Sequence, residues 1–500
     1  MTVPSYPPPA QRRLIVFFSM AAAIMNQIDT TIANVALPHM QGSTSASREQ
    51  IAWVLTSYII ALAIATPLTG WLAGRFGRKR LMLYSIVGFT IASLLCGIST
   101  NLDELVLFRL LQGAAGSALV PMSQATLLDI YPSEEHGKAM AVFGLAAIMG
   151  PLAGPVLGGW LTENYSWHWV FLINLPIGIL AFIGLSAVMP EARDEEPRSF
   201  DLLGFALLAF AIGAFQLMMD RGQTQDWFQS REIWVEATVS AASLYLFIVH
   251  SLTARHPFIR LAIFADRNFV ISTLIGFFLG IMIYGVLSLL PPMLTTLFDY
   301  PIITIGLVTA PRGLGTFCAT LTMGQIINRM DSRLLVFAGL VISALSALFL
   351  SQLSLAADER LIVISGFING IGSSLIFVPL AAIAFATLPP QYRNEAASFG
   401  TLTRYLGSAV GISMLETLTY RNEAIVQSRL TEGVRPDNPV LALRLPGADF
   451  SLPDTLAALS GEIAKQAMMV SYVDAFWMLF LVGAIASPLA FLMQKQKRRG

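Results

Sequence analysis

The sequence predicts an all-α polytopic membrane protein of fourteen transmembrane helices, arranged as two pseudo-symmetric six-helix halves with two further helices inserted between them. Charged residues make up 12% of the 500-residue chain, where a soluble domain carries about 25%, and the mean hydropathy is +0.66. A hydrocarbon core about 30 Å thick needs roughly 20 helical residues, and windows of that length open at fourteen places. Several passages also recur in one register, 254 to 258 residues apart, which points to an internal duplication.

Taken in chain order, residues 1–13 read as a short cytoplasmic arm, Pro-rich from Pro4 to Pro9. Residues 14–190 form the N-terminal half, with windows opening near Leu14, Ile51, Leu81, Glu104, Lys138 and Trp169. The first is too long and too polar inside for a cleaved signal peptide, so it is expected to stay in place. Residues 191–268 hold the inserted pair, from Leu202 and Ile233, between charged loops at Glu191 to Arg198 and Arg255 to Arg267. The C-terminal half, 269–493, has windows near Val270, Ile303, Leu334, Leu361, Ala397 and Tyr472, with a long outer loop at 420–470, and 494–500 is a basic cytoplasmic tail.

The repeats support that division. Gly70 to Lys79, with Arg75, is echoed by Gly324, Arg329, Asp331 and Arg333; Gln112-Gly113, Gly116 and Pro121 are answered by Asn369-Gly370, Gly372 and Pro379; and Phe143-Gly144 is matched by Phe399-Gly400. An even helix count puts both termini on one side. Arg12, Arg13, Arg75, Arg78, Lys79, Arg80, Arg255, Arg260, Arg267 and the tail lysines and arginines then gather on that side, which the positive-inside rule makes cytoplasmic.

Other classes are set aside on composition. Net charge is zero and no basic stripe exists to suggest nucleic acid. There is no phosphate-binding Gly-Lys loop and no metal-spaced Cys/His set, and the five histidines are scattered, so no metal, cofactor or catalytic module is expected. Cys96 and Cys318 both fall in apolar segments and read as packed thiols rather than a disulfide.

Ionisable groups at membrane depth cost roughly 2.5 to 3.5 kcal/mol on insertion scales and mark function by default when they face a bundle interior. Asp29, Arg109, Arg312 and Arg404 qualify. At 1.5 Å per residue, Asp29 lies about 22 Å and Arg109 about 28 Å from the cytoplasmic end of oppositely directed helices, a difference of about one turn. A carboxylate–guanidinium pair follows, with two readings: one exchangeable between a proton and a substrate, the other a fixed structural ion pair. Glu416 is expected to be interfacial rather than a second proton site.

Asn26, Gln27, Thr30 and Asn34 surround Asp29 with polar groups, and with Gln112, Arg312 and Arg404 they are the candidate cavity lining; hydrogen bonding to neighbouring helices is the alternative use. Gly150-Pro151, Gly154-Pro155 and Gly158-Gly159 repeat every four residues, which places small residues on one helix face for close approach, while the prolines favour a kink. The 20 methionines and 31 phenylalanines would suit a pocket that accepts many shapes, though most must face lipid or core.

These motifs resemble the major facilitator superfamily, and within it the fourteen-helix EmrB/QacA-type drug:proton antiporters. Ile28 to Pro38 resembles the first-helix signature, with Ala33 in place of the usual Val. Gly70, Arg75, Gly77 and Arg78 resemble the cytoplasmic latch, Arg109 with Gln112-Gly113 the helix-four motif, and Gly150 to Gly159 the antiporter motif. Trp167-His168-Trp169 with Asn174-Leu175-Pro176, Asp220 to Phe228, Arg267-Asn268-Phe269 and Ala310-Pro311-Arg312-Gly313 extend the likeness over nearly the whole chain. One departure is Gly74, where the latch usually has Asp; Asp129 and Glu134 are candidates to replace it.

The resemblance implies a major facilitator fold in the bacterial inner membrane. It further implies proton-coupled export of amphipathic, toxic compounds by alternating access, with Asp29 as the proton-linked carboxylate and Arg109 as its relay partner. An exporter of one endogenous compound, such as a fatty acid, siderophore or antibiotic, is the alternative within the family. A proton-driven importer is disfavoured because the Glu-rich first-helix motif of peptide symporters is missing. The EmrB side of the family implies a periplasmic adaptor of the EmrA type and an outer-membrane channel of the TolC type. The 420–470 loop, with a helical stretch at Asp454 to Met469, is expected either to contact such an adaptor or to be a solvated loop with a surface-lying amphipathic helix.

Overall fold

The computed structural model describes residues 6–46, 48–132, 135–191, 199–327, 330–389, 392–434 and 452–494. The N-terminal half consists of α1 (Pro9–Thr44), α2 (Arg48–Ala65), α3 (Leu68–Phe76), α4 (Arg78–Ile98), α5 (Leu102–Gly116), α6 (Leu119–Ile130), α7 (His136–Asn164), α8 (Trp169–Leu172) and α9 (Asn174–Val188). The insert is α10 (Leu202–Arg221) and α11 (Arg231–Thr253). The C-terminal half comprises α12 (Arg267–Leu297), α13 (Ile302–Thr309), α14 (Pro311–Ile326), α15 (Ser332–Leu350), α16 (Glu359–Ala386), α17 (Arg393–Glu432) and α18 (Pro453–Ala486). No strand occurs among the described residues.

Helix starts follow the local chemistry. Asn101, Asp201, Ser230, Asp266 and Asp331 each accept a backbone N–H of the first turn they open, satisfying donors that a helix leaves unpaired. Breaks fall at prolines: Pro67 separates α2 from α3, which bend by 56°, and Pro311 opens α14 after α13. Proline brings no N–H and its ring crowds the carbonyl four residues back. Gly77, with φ of 86°, turns α3 into α4 in a conformation that side chains resist.

Helices occupy all fourteen predicted windows. Judged by length and apolar composition, however, ten among the described residues suffice to cross a bilayer, or eleven if α2 and α3 count as one bent span. The count of fourteen is not reached on that measure. The window that holds α17 is the least apolar, because it threads Arg404 and several Gly, Ser and Thr through its length.

Within the N-terminal half α1 packs on α7 and α9, and α5 on α2 and α4; within the C-terminal half α16 packs on α14 and α15, and α12 on α17. The halves meet where α7 crosses α13, α14 and α16, and where α17 crosses α3 and α6. The insert lies over this seam, α10 touching both α2 and α17. At one end of α10 Thr56 donates to Asp220 at 2.5 Å and Trp227 Nε1 to Thr417 at 3.1 Å. At its other end Trp71 and Phe200 rings lie 4.6 Å apart and Arg260 Nε donates to Glu395 at 3.1 Å.

That second end belongs to the basic face, where the halves are drawn together. Thr69 and Ser398 hydroxyls lie 2.7 Å apart. Asp129 pairs with Arg78 of its own half and with Arg393 of the other at 3.5 Å. Asp129 therefore occupies the acidic role that Gly74 leaves open, while Glu134 lies outside the described residues, as does Arg329 of the repeat.

Two expectations change. Cys96 is buried, but Cys318 is exposed, on the outward side of α14 among Leu314, Phe317 and Leu321, so it is not a core thiol. The stretch from Asp454 to Met469 is not a separate surface-lying helix. It runs unbroken into the last apolar segment, because nothing between Pro453 and Ala486 interrupts it. At 1.5 Å per residue, the 40-residue α17 is about 60 Å long, twice the hydrocarbon thickness, and Asn422 donates to Asp474 at 3.1 Å between the two long helices. Residues 435–451 of the loop lie outside the described part.

Candidate functional site

Asp29 and Arg109, on α1 and α5, are both 0% exposed. Arg109 Nη1 donates to Asp29 Oδ2 at 2.5 Å and to Gln112 Oε1 at 2.7 Å, and its Nε donates to the Val54 carbonyl at 3.0 Å. Asp29 Oδ1 accepts from Gln112 Nε2 at 2.8 Å and from Asn174 Nδ2 at 2.9 Å. Ser93 Oγ accepts from Gln112 at 2.7 Å. The guanidinium also lies over the Tyr58 ring, 4.1 Å from its centroid, and 5.4 Å from that of Phe171. A buried ion pair survives only when its remaining donors and acceptors are met, and this network meets most of them from α1, α2, α4, α5 and α9.

Loss of the Asp29 charge, by protonation, would free a permanently cationic guanidinium from its carboxylate while leaving the ring and carbonyl contacts. The neighbouring face of α1 is packed closely against α7. A Cβ on Gly150 would lie 2.2 Å from Gln27 Cβ, one on Gly154 2.1 Å from Thr31 Oγ1, and one on Gly158 2.8 Å from the Ile32 carbonyl. The glycine repeat of α7 thus packs directly against the helix that carries Asp29, while α7 also packs on α13, α14 and α16 across the seam. Gly159 is buried; the side chains of Pro151 and Pro155 lie outside those described.

A cavity of about 1250 Å³, counting the part open to solvent, lies mainly in the C-terminal half. It is lined by Leu290, Ile305, Ile362 and Phe377, with Gln27 and Val120 from the other half and with Arg312, Arg404 and Asn369 as polar groups. Tyr284, from the C-terminal half, stands in the same wall as Gln27 from the other half. Of the polar residues around Asp29, Gln27 alone reaches this cavity. Asn26 is turned into the N-terminal half, donating to Tyr58 Oη at 3.0 Å and the Gly116 carbonyl at 3.3 Å. Thr30 donates to the Gln27 carbonyl at 2.7 Å, Gln112 is consumed by the Asp29 network, and Asn34 is exposed beyond it. The reason is packing within the N-terminal half: Asn26 is held by α2 and α5 and Gln112 by the Asp29 network, both away from the cavity.

Among the latch residues, Gly70 approaches the backbone of Glu395, 3.3 Å from where its Cβ would be; Arg75 is exposed on the basic face; and Arg78 holds Asp129. Sequence reasoning assigned no role to Tyr58, Ser93 or Asn174. Asn174 had a signal, standing before Leu175-Pro176 in an apolar run, but Ser93 is one of many serines.

Two helical halves closed on one face, a buried ion pair in one half and an apolar cavity lined mainly by the other are the features of a membrane transporter. The chain matches the Major Facilitator Superfamily over residues 19–412. It is 34% identical over 481 residues to the Multidrug export protein EmrB of Escherichia coli (strain K12), covering 95% of this chain and 94% of the relative. It is 35% identical over 469 residues to the Fatty acid resistance protein FarB of Neisseria gonorrhoeae, covering 93% and 92%. A solved structure of the proton:xylose symporter XylE matches with a TM-score of 0.64 at 13% identity, over 98% of this chain and 97% of that one. The chain belongs to the Major Facilitator Superfamily, among its EmrB-like transporters.

Proposed function

We propose that the protein is a proton-coupled multidrug efflux transporter of the bacterial inner membrane, with both termini cytoplasmic, that exports amphipathic toxic compounds by alternating access. The observation that carries this is the sealed Asp29–Arg109 pair, two residues along α1 from the cavity-lining Gln27. A proton arriving at Asp29 removes its hold on Arg109, and the change passes along the α1–α7 glycine contact to the seam between the halves. No nucleotide or metal takes part in this scheme; the proton gradient is the energy source. The similarity to EmrB over nearly the full length supports the drug-export reading. The likeness to FarB favours, as the second reading, a dedicated exporter of one endogenous compound.

Partners follow the same reading: an adaptor of the EmrA type and a channel of the TolC type, with the projecting ends of α17 and α18 as the surface available to the adaptor. The test is reconstitution in liposomes with an imposed pH gradient and a panel of lipophilic dyes and uncouplers. Gradient-driven movement of several members supports the multidrug reading. Movement of none, by a folded protein, contradicts it and favours a narrow substrate.

A further inference from the structure

The two halves are related by an internal repeat, yet their buried charges are unequal. In the N-terminal half a Cβ on Gly113 would meet the Tyr58 carbonyl at 2.3 Å, and in the C-terminal half a Cβ on Gly370 would meet the Arg312 carbonyl at 2.0 Å. Arg312 therefore stands where Tyr58 stands in the first half, and Gly366 stands where Arg109 does, at the repeat offset of 257. The C-terminal half has kept a buried cation but not the carboxylate. Helix α12, the counterpart of α1, contains no Asp or Glu anywhere between Arg267 and Leu297.

Arg312 is 8% exposed, and its Nε has no hydrogen-bond partner. Arg404 reaches the Thr401 hydroxyl at 3.3 Å and lies 5.3 Å from the centre of the Phe377 ring. Both line the cavity, whose remaining wall is apolar except for a few neutral groups such as Asn369, which also leaves its buried Oδ1 unpartnered. Among the described residues, none that lines it is acidic. Two guanidiniums in an apolar, acid-free chamber are unstable without a counter-charge, because desolvated cations need an anion or several acceptors.

We infer that the cavity binds amphipathic organic anions, with the carboxylate, sulfonate or phenolate-type head between Arg312 and Arg404 and the apolar body against Leu290, Ile305 and Ile362. This rests on the transporter reading and narrows its substrate class; lipophilic cations would meet two like charges in the same chamber. Asp29 takes no direct part in holding the head, since it is enclosed by Arg109, Gln112 and Asn174 in the other half.

The test uses the full chain in nanodiscs of zwitterionic lipid, in low-chloride buffer. Binding of octanesulfonate and octyltrimethylammonium, which share a tail and carry permanent opposite charges, is measured by calorimetry against empty nanodiscs. Octanesulfonate should bind at least about tenfold tighter. Arg312→Gln and Arg404→Gln should each weaken it by about tenfold, with Arg312→Lys and Arg404→Lys retaining more of the affinity. Equal affinity for the cation, or parent-like octanesulfonate binding in the folded Gln variants, overturns the inference. Should the Gln variants not fold, the parent's preference between the two probes decides. Octanesulfonate bound in this way but moved by no proton gradient would sink the transport reading and leave the anion site standing.

Discussion

Asn174 Nδ2 on α9 lies 2.9 Å from Asp29 Oδ1 on α1, so the sixth predicted window supplies a donor to the carboxylate of the first. Asn174→Ala removes that donor without replacing it and leaves a buried carboxylate oxygen with Gln112 as its remaining partner. A loss of about 1 to 3 kcal/mol in stability is expected. Thermal unfolding of the detergent-solubilised protein should show a lower midpoint, and gradient-driven transport should fall. An unchanged midpoint with full transport would mean that Asn174 does not support the site.

The contact of Gly154 with Thr31 sets a second expectation. Gly154→Val adds bulk where a single Cβ already falls 2.1 Å from Thr31 Oγ1, and overpacking of this kind costs about 1 to 3 kcal/mol. Pairing it with Thr31→Gly should restore part of the loss. A double variant no better than the single one would place the strain elsewhere than the α1–α7 contact.

On the basic face, Arg393→Ala breaks the bridge from Asp129 to the opposite half. A partly exposed pair contributes up to about 1 kcal/mol, roughly a fivefold change in the ratio of closed to open forms. Spin labels at Arg80 and Thr387 should report a larger population of long distances. No shift would show that Thr69, Ser398, Arg260 and Glu395 hold that face without Asp129.

Asp201 ties the insert to its following loop, accepting Gly204 N–H at 2.9 Å, His250 Nε2 at 2.9 Å and Phe258 N–H at 2.9 Å. Burial works to raise its pKa, but these donors outweigh burial and hold it below the ordinary carboxylate range. A depressed folded value means the stabilisation is present above the unfolded value and is lost only as pH falls through the folded one. Tryptic cleavage after Arg255 and Arg260 should therefore be slow and nearly constant from pH 8 to about 6, and faster throughout in Asp201→Ala. Cleavage of the parent that accelerates within that range would contradict the assignment.

The legible part of this molecule was what the bilayer imposes. Apolar length located a helix at every window, and the cost of burying charge singled out Asp29 and Arg109 before their contact was known. Depth along two oppositely directed helices sufficed to pair them, even though a turn at Ser117 and Ala118 separates α5 from α6. The cavity was not legible in the same way. Asn26, Thr30 and Asn34 look like one polar face on a helical wheel, but the approach of Tyr58 and Gly116 to Asn26, which no local pattern names, turns its amide away from the cavity. Asp129 could be proposed for the latch, yet only the approach of α17 brings Arg393 to it. Likewise polarity changes near Met469 and suggests a break there, but the helix backbone runs on from Pro453 to Ala486.

The most direct test of the central claim, that Asp29 carries the coupled proton, is a counterflow measurement in sealed liposomes containing a lumenal pH dye. Addition of a transported compound to the parent should drive protons across the membrane in the opposite direction, and Asp29→Asn should still bind the compound but move no protons. Equal substrate-driven proton movement by the parent and by folded Asp29→Asn would contradict the account and leave the Asp29–Arg109 pair a fixed structural bridge.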